Sequence, residues 1–407
     1  MASLLSGRVS PFAALGHRNF RLLYLGLLVS TLGSQITRAA SAWLIYQLTG
    51  SAAALGLAGL FAALPLIPMS LFGGALADAV ERRKLLLVTQ SLALLTVGSL
   101  TVLSATGQIA VWHLYLANIM ITTVGMLDRP ARQALIPSLV PKEQLFNAYT
   151  LMTTLMQASS LIGPMIAGIA LATGGAAWAF GVDTLSFLAV IVALLLMNLP
   201  PIVVAGRALG LGSVGEGLRF VWSQQIIVGL LGLDVAAMFF GYYQTLLPIF
   251  ATQLGVGETG YGLLTSAPAA GSLTGGALML LVGRLRRPGW VMLGAVAGYA
   301  LALIGLGLSP WFLGALACGA LLGFTDSISV TIRNTATQLS TPDALRGRVS
   351  SVFQISVQGG NSIGALDAGF AAAAIGAGPA TVVGGGLVLL TVALAGWFVR
   401  PLRTFKT

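Results

Sequence analysis

Residues 73–84 read GGALADAVERRK, and this stretch decides the fold. It places five charged side chains between two long apolar runs, because residues 52–72 and 85–111 contain no Asp, Glu, Lys or Arg. An apolar run of about 20 residues is long enough to cross a bilayer as a helix. The stretch therefore predicts a tight turn between two membrane-spanning helices.

Composition extends this interpretation to the whole chain. The 407 residues are 57% hydrophobic and 8% charged, whereas about 25% of the residues in a soluble globular protein are charged. We predict an all-α integral membrane protein with twelve transmembrane helices. The predicted spans are 20–47, 52–76, 85–106, 110–137, 145–172, 177–199, 226–252, 259–283, 290–308, 311–337, 349–374 and 379–399.

The distribution of basic residues predicts the orientation. Of the 21 Lys and Arg residues, all except Arg38 fall at one end of the alternating spans. Basic residues mark the cytoplasmic side of membrane proteins, so we expect both termini in the cytoplasm. The net charge of +10 then faces anionic lipid head groups and does not indicate nucleic-acid binding.

Internal repeats predict two halves. The motif GGAL at 73–76 recurs at 275–278, each time before a basic turn, and Ile162-Gly163 recurs as Ile363-Gly364. We predict a six-helix bundle over 1–199, a cytoplasmic linker over 200–225 and a second six-helix bundle over 226–407. Such duplications place a binding site between the halves near the bilayer midplane. We expect the protein to be a monomer.

Enzymatic chemistry is disfavoured. The single Cys318 excludes a disulfide framework and a cysteine metal site. Residues 360–364, GNSIG, match a serine-hydrolase pattern, but no His follows them in the chain. The sequence also lacks Gly-Lys-Ser/Thr, the core of a phosphate-binding loop. We expect no enzyme activity, no metal and no cofactor.

The pattern G-x-L-A-D-x-x-x-R-R at 74–83 resembles the signature loop of the major facilitator superfamily. It departs from the commonest form at Ala79, where a basic residue is usual, and at Glu81, where glycine is usual. The ending ERRK is similar to the branch that contains the enterobactin exporter and the macrolide and multidrug efflux proteins. The resemblance implies pseudo-symmetric six-helix bundles in a bacterial cytoplasmic membrane and export of an amphiphilic, siderophore-like or drug-like molecule by proton antiport. Protons would be the coupling ion.

The same loop supplies a candidate conformational latch, formed by Gly74, Asp78, Arg82 and Arg83. Glycine lets two helix backbones approach closely. Asp78 can cap the N-terminus of a neighbouring helix or pair with Arg82 or Arg83. The resemblance implies that this latch closes in one conformation and opens in the other. The alternative is that these charges only anchor a cytoplasmic turn.

Charged residues inside spans are the candidates for proton coupling, since each costs roughly 2.5–3.5 kcal/mol at a span centre. The resemblance implies that spans 1, 4, 7 and 10 line the cavity. We rank Asp234 first, because its apolar neighbours favour a neutral carboxylic acid, followed by Asp326 and Asp128. In the alternatives, Asp234 pairs permanently with Arg38 or bonds to a neighbouring helix, and Asp128 pairs locally. We expect Arg333 to reach the membrane interface.

The remaining intramembrane carboxylates, Asp183 and Asp367, lie beside glycines in the outer parts of their spans. We expect both to make structural hydrogen bonds.

Arg38, Gln35, Tyr243 and Gln244 are the candidates for the substrate cavity. Arg38 is the one basic residue predicted in the outer half of the membrane, and it suits an anionic substrate such as a catecholate or a carboxylate on a facing span. Transport of a small molecule in exchange for protons is the preferred function. A lysolipid flippase or an importer of the same fold remains an alternative, and the repeat and the signature loop disfavour a non-transporting receptor.

Overall fold

The structure, a computed structural model, describes residues 12–66, 68–69, 80–198, 218–283 and 285–398. Regular structure in these ranges is helical and includes no strand, so the predicted fold class is confirmed. The helices are α1 (Arg18–Thr49), α2 (Ala52–Ala63), α3 (Arg82–Ala105), α4 (Val111–Leu135), α5 (Leu145–Leu196), α6 (Gln225–Phe240), α7 (Leu247–Gln253), α8 (Gly257–Val282), α9 (Pro288–Leu308), α10 (Phe312–Ser340), α11 (Arg346–Ile375) and α12 (Ala377–Phe398). Short 3-10 turns join several of them.

Helix α5 contains two spans. Its 52 residues would extend about 78 Å as one straight helix, more than twice the thickness of a hydrocarbon core. The helix is interrupted at Gly175, where φ is 70° and ψ is −167°, a conformation that glycine adopts without steric cost. Gly163 packs against Gln35 and Asp183 packs against Gly33, so both arms lie along α1. Predicted spans 5 and 6 are therefore the two arms of a helical hairpin.

The described helices reproduce most predicted spans to within a few residues. Seven helical stretches in the described ranges are long and apolar enough to cross a membrane. The second predicted span is described mainly by α2. The seventh, predicted as one helix, is divided between α6 and α7 by an interruption at residues 241–246. Pro248 lies in the first turn of α7, a position where its missing amide hydrogen is tolerated.

The two parts of the chain meet at the end opposite the basic turns. Helix α2 packs on α11, and the first arm of α5 packs on α8. The backbones approach so closely that a Cβ atom added at Gly262 would lie 2.5 Å from the carbonyl oxygen of Pro164, and one added at Gly369 would lie 2.5 Å from the Cα of Gly56. Small residues permit such contacts between membrane helices.

The division into two bundles stays a prediction. The first part of the predicted linker 200–225 lies outside the described residues, which resume at residue 218. The terms first half and second half are used below for residues 12–198 and 218–398.

Asp128 lies in a buried polar network of the first half. It forms an ion pair with Arg132, one turn along α4, and one of its oxygens accepts hydrogen bonds from Gln90 at 2.8 Å and Thr89 at 3.2 Å. These bonds join α4 to α3. Asp128 thus faces a neighbouring helix, whereas the sequence predicted that it lines the cavity.

We expect the Gly262→Val variant to favour a conformation in which the two parts of the chain separate at the end opposite the basic turns. Valine would collide with the first arm of α5, and roughly 1.4 kcal/mol is enough to shift a conformational equilibrium tenfold. The distance between spin labels on cysteines at Ala172 and Thr259, in a chain with Cys318→Ala, should increase. Gly294→Val is the matched control, because a Cβ atom there meets nothing within 4 Å. Equal distances in both variants would contradict the expectation.

The Asp128→Ala variant should lose roughly 1–3 kcal/mol of stability. This is below the ~3–5 kcal/mol of a fully buried broken pair, because the side chain of Arg132 is 21% exposed. The measurement is the thermal unfolding midpoint of purified protein. Asp343→Ala is the control, since Asp343 is 88% exposed beside Arg346. A variant of unchanged stability that loses proton-driven transport would instead support the predicted coupling role of Asp128.

Candidate functional site

A cavity of about 890 Å³ lies between the two halves. Its lining extends to Gln338 and Ser350, near the ends of α10 and α11 that carry the basic turns, and at the other end it reaches Leu247 and Tyr261. The ring of Tyr261 lies against Trp43, with 5.1 Å between the ring centroids, and its hydroxyl donates to the carbonyl oxygen of Ala39 at 3.0 Å. The cavity is therefore closed at one end by contacts between the halves and extends toward the basic end.

Six of the residues selected from the sequence line this cavity. They come from α1, α6, the interruption after α6 and α10. They are Gln35, Arg38, Asp234, Tyr243, Gln244 and Asp326. The structure brings these residues together, and their roles in transport stay predictions.

Arg38 projects into the cavity from α1. Its side chain is exposed to the cavity although it lies at the depth of the membrane-spanning helices. Among the described residues it makes no ion pair and no hydrogen bond, since Asp183 and Tyr242 interact with it only through longer-range electrostatics. Nearby, Gln35 donates to the hydroxyl of Ser160 at 2.8 Å, which joins α1 to the first arm of α5.

Asp234 forms an ion pair with Arg333 of α10, and both side chains are buried. The alternatives considered for Asp234 were a pair with Arg38 or a bond to a neighbouring helix. In the structure its partner lies on a neighbouring helix. The expectation that Arg333 reaches the interface was wrong, because its side chain points into the cavity wall and is only 6% exposed. Oδ2 of Asp234 and Nε of Arg333 are buried without a hydrogen-bond partner.

Asp326 lies seven residues before Arg333 on α10, on the same face of the helix. It is exposed to the cavity and makes no ion pair or hydrogen bond within the described residues. Arg333 and Asp234 lie within electrostatic range of it. The second half therefore places two carboxylates and one guanidinium at the cavity, a local sum of −1.

The interruption between α6 and α7 positions the tyrosines of the cavity. Tyr243 is buried and Gln244 is exposed. The hydroxyl of Tyr299 on α9 donates to the carbonyl oxygen of Gly241 at 3.0 Å, so α9 supplies a partner to the interrupted helix end. Tyr261, Tyr299 and Arg333 also line the cavity and were not among the predicted site residues. They could have been identified from the sequence as polar or aromatic residues on the cavity-facing sides of α8, α9 and α10.

The latch candidates are described in part, because Gly74 and Asp78 lie outside the described residues. Arg82 donates to the carbonyl oxygen of Ala134 at 2.7 Å, near the end of α4. Arg83 donates at 2.9 Å to the carbonyl oxygens of Leu194 and Leu195, at the end of α5. Both arginines thus bind the C-terminal ends of helices, where cations are favoured. The role of the latch stays a prediction.

Two further carboxylates lie outside this cavity. Asp183 is buried and accepts a hydrogen bond from Ser186 at 2.8 Å, as expected from the sequence. Asp367 lines a second cavity of about 190 Å³ between the interruption after α6 and the helices α9, α11 and α12. Within the described ranges no cluster of three or more His, Cys, Asp or Glu side chains could bind a metal ion.

Comparison with known proteins gives a consistent result. The family model described as transmembrane secretion effector matches residues 9–407. The enterobactin exporter EntS of Citrobacter koseri is 30% identical over 397 residues, which cover 96% of this chain and 94% of that protein. EntS of Escherichia coli O1:K1 is 29% identical over the same length, with the same shares of the two chains.

Solved structures show the same fold. A bacterial homologue of the human lysosomal transporter Spinster, in its inward-facing and unoccupied conformation, has a TM-score of 0.73 at 16% identity and covers 96% of this chain and 99% of its own. A peptide transporter POT has a TM-score of 0.75 at 12% identity, with 95% of each chain covered.

Members of this family are transporters and not enzymes, and the helical architecture and the cavity between the halves agree with that. The chain is a multi-pass secondary transporter that belongs to the transmembrane secretion effector family of the major facilitator superfamily.

Proposed function

We propose that the protein exports an amphiphilic small molecule across the bacterial cytoplasmic membrane in exchange for protons. The observation that carries the proposal is the cavity of about 890 Å³, which combines tyrosine rings with Arg38, Asp234, Asp326 and Arg333. Its size lies within the ~300–1,000 Å³ range of small-molecule sites. The similarity to proteins named enterobactin exporter supports export and a siderophore-like or drug-like substrate.

The contacts between the halves support the proposal of alternating access. The contacts of α2 with α11 and of α5 with α8 close one end, and the basic turns mark the other end as cytoplasmic. A substrate would enter from the cytoplasm and leave after the glycine contacts separate. Anionic lipids would contact the basic turns, and the latch of Asp78, Arg82 and Arg83 would close the cytoplasmic end.

Asp234 and Asp326 are the proposed proton carriers. Both line the cavity, and the single guanidinium of Arg333 cannot fully neutralise two ionised carboxylates. Protonation of one carboxylate removes the excess negative charge, so binding and release of a proton change the electrostatics of the cavity. Asp128 is a less favoured carrier because its oxygens already have partners.

The proton gradient supplies enough free energy. One proton that crosses 100 mV gains roughly 2.3 kcal/mol, and half a pH unit adds roughly 0.7 kcal/mol. Together they support a gradient of about a hundredfold for a neutral substrate.

Everted membrane vesicles that contain the full-length protein test the proposed function. With an imposed proton gradient, the measurement compares the uptake of four compounds: a catecholate siderophore, a macrolide, ethidium and a lysolipid. We expect uptake of at least one compound that a protonophore abolishes. Vesicles without the protein are the control. Preference for the lysolipid would favour a flippase, and uptake only in right-side-out vesicles would favour import.

Replacing the proposed carriers should uncouple transport from the gradient. In Asp234→Asn and in Asp326→Asn we expect gradient-driven uptake to fall at least tenfold. Equilibrium substrate binding should persist in Asp234→Asn. Because Asp234→Asn leaves Arg333 without its ion-pair partner, Asp234→Asn/Arg333→Gln provides a variant in which no charge is stranded. Wild-type uptake by the single variants at the same gradient would rule out these carboxylates as carriers.

A further inference from the structure

Two opposite charges face the cavity without partners. Arg38 lies on α1 in the first half, and Asp326 lies on α10 in the second half. Both side chains are exposed to the cavity, and neither makes an ion pair or a hydrogen bond within the described residues. By contrast, Asp234 and Arg333 form a buried ion pair in the same cavity wall. Within the described residues, the cavity thus contains one ion pair and two side chains of opposite charge that form none.

The two halves contribute opposite net charges to the wall of the cavity. The second half contributes Asp234, Asp326 and Arg333, which sum to −1, and the first half contributes Arg38. Asp183 and Arg129 also interact electrostatically with Arg38, but with opposite effects and beyond ion-pair distance. The first half therefore presents a cation to the cavity, and the second half presents a net anion.

When the cavity closes, the charges of Arg38 and Asp326 can no longer be solvated by water. Water can solvate Arg38 and Asp326 while the cavity extends to the basic end. An occluded state with substrate expels that water, and an ionised group buried without a partner is strongly destabilising. A partner for Arg38 must then come from the substrate or from the opposite half, and Asp326 must be paired in the same way or protonated.

We propose that the substrate is zwitterionic, with an anionic group that binds Arg38 and a protonated amine or other cation that binds Asp326. This inference rests on the proposed transport function and specifies its substrate class. The arrangement orients the substrate along the axis from the first half to the second. A cationic substrate would leave Arg38 without a partner at closure, and an anionic substrate would require a proton on Asp326.

The aromatic residues of the cavity suit the body of such a substrate. The hydroxyl groups of Tyr261 and Tyr299 donate to backbone carbonyl oxygens, so the polar atoms of these side chains already have partners. The rings, together with Phe353, add apolar surface to the lining. A compact aromatic or alicyclic body between the two charged groups therefore fits the cavity.

The same arrangement accounts for exchange with protons. Asp326 can bind either the cationic group of the substrate or a proton, because one carboxylate binds one of them at a time. Substrate release on the far side leaves Asp326 free to take up a proton. Exchange of the two ligands on one side chain is sufficient for antiport.

Three matched compounds test the charge requirement in equilibrium binding to the purified full-length protein. The probe is 6-(aminomethyl)-2-naphthoic acid, which is zwitterionic near neutral pH and places its ring system between the two charged groups. Its amide retains only the positive charge, and its N-acetyl derivative retains only the negative charge. We expect wild-type protein to bind the zwitterion at least about tenfold more tightly than either derivative.

Two variants should produce a crossed pattern. In Arg38→Gln the carboxylate loses its partner, so the zwitterion and the amide should bind equally well. In Asp326→Asn the amine loses its partner, so the zwitterion and the N-acetyl derivative should bind equally well. Arg287→Gln and Asp343→Asn remove exposed charges away from the cavity and should retain the wild-type preference.

The outcomes separate this inference from the proposed function. Equal binding of all three compounds by wild-type protein, or uniform weakening of all three in both variants, would overturn the zwitterion inference. Arg38 and Asp326 would then serve a purpose within the protein, such as pairing with each other at closure. The crossed pattern without any gradient-driven uptake would support the inference and overturn proton antiport. Gradient-driven uptake without charge discrimination would do the reverse.

Discussion

The close contact of helix backbones at one end of the molecule is the constraint on which the rest of the structure depends. Gly168 and Gly262 bring α5 and α8 together, and Gly56 and Gly369 do the same for α2 and α11. Because no side chain separates these backbones, the halves meet at this end, and the cavity extends from here toward the basic end. Arg38 and Asp326 both line this cavity.

Charged side chains at membrane depth are stabilised in different ways in this protein. Asp128 and Asp183 bind to groups of neighbouring helices or turns, which is how most intramembrane carboxylates are stabilised. The ion pair of Asp234 and Arg333 lies in the cavity wall, where a change in protonation of one member alters what the other can bind. Arg38 and Asp326 differ from these residues, because both face the cavity and, within the described residues, neither makes an ion pair or a hydrogen bond.

The sequence predicted the fold well because apolar runs and basic turns depend on local composition. The boundaries of most spans and the cavity positions of Arg38, Asp234 and Asp326 could be inferred in this way. The interruption of the seventh span could not, because residues 241–246 contain no charged residue that would end the span. The pairing of Arg333 with Asp234 also escaped prediction, since it depends on how α6 and α10 face each other across the bundle and not on spacing along the chain.

The interruption after α6 makes the two pseudo-symmetric halves mechanically unequal. In the first half, Arg82 and Arg83 bind the ends of α4 and α5, and Asp128 joins α4 to α3. The hydrogen-bond ladder of the second half is broken beside Tyr243, next to the cavity. A broken helix bends at lower energetic cost than a continuous one. A molecule that contacts Tyr243 or Gln244 would therefore bend the second half at this interruption at lower energetic cost than it would bend the continuous helix α1 of the first half.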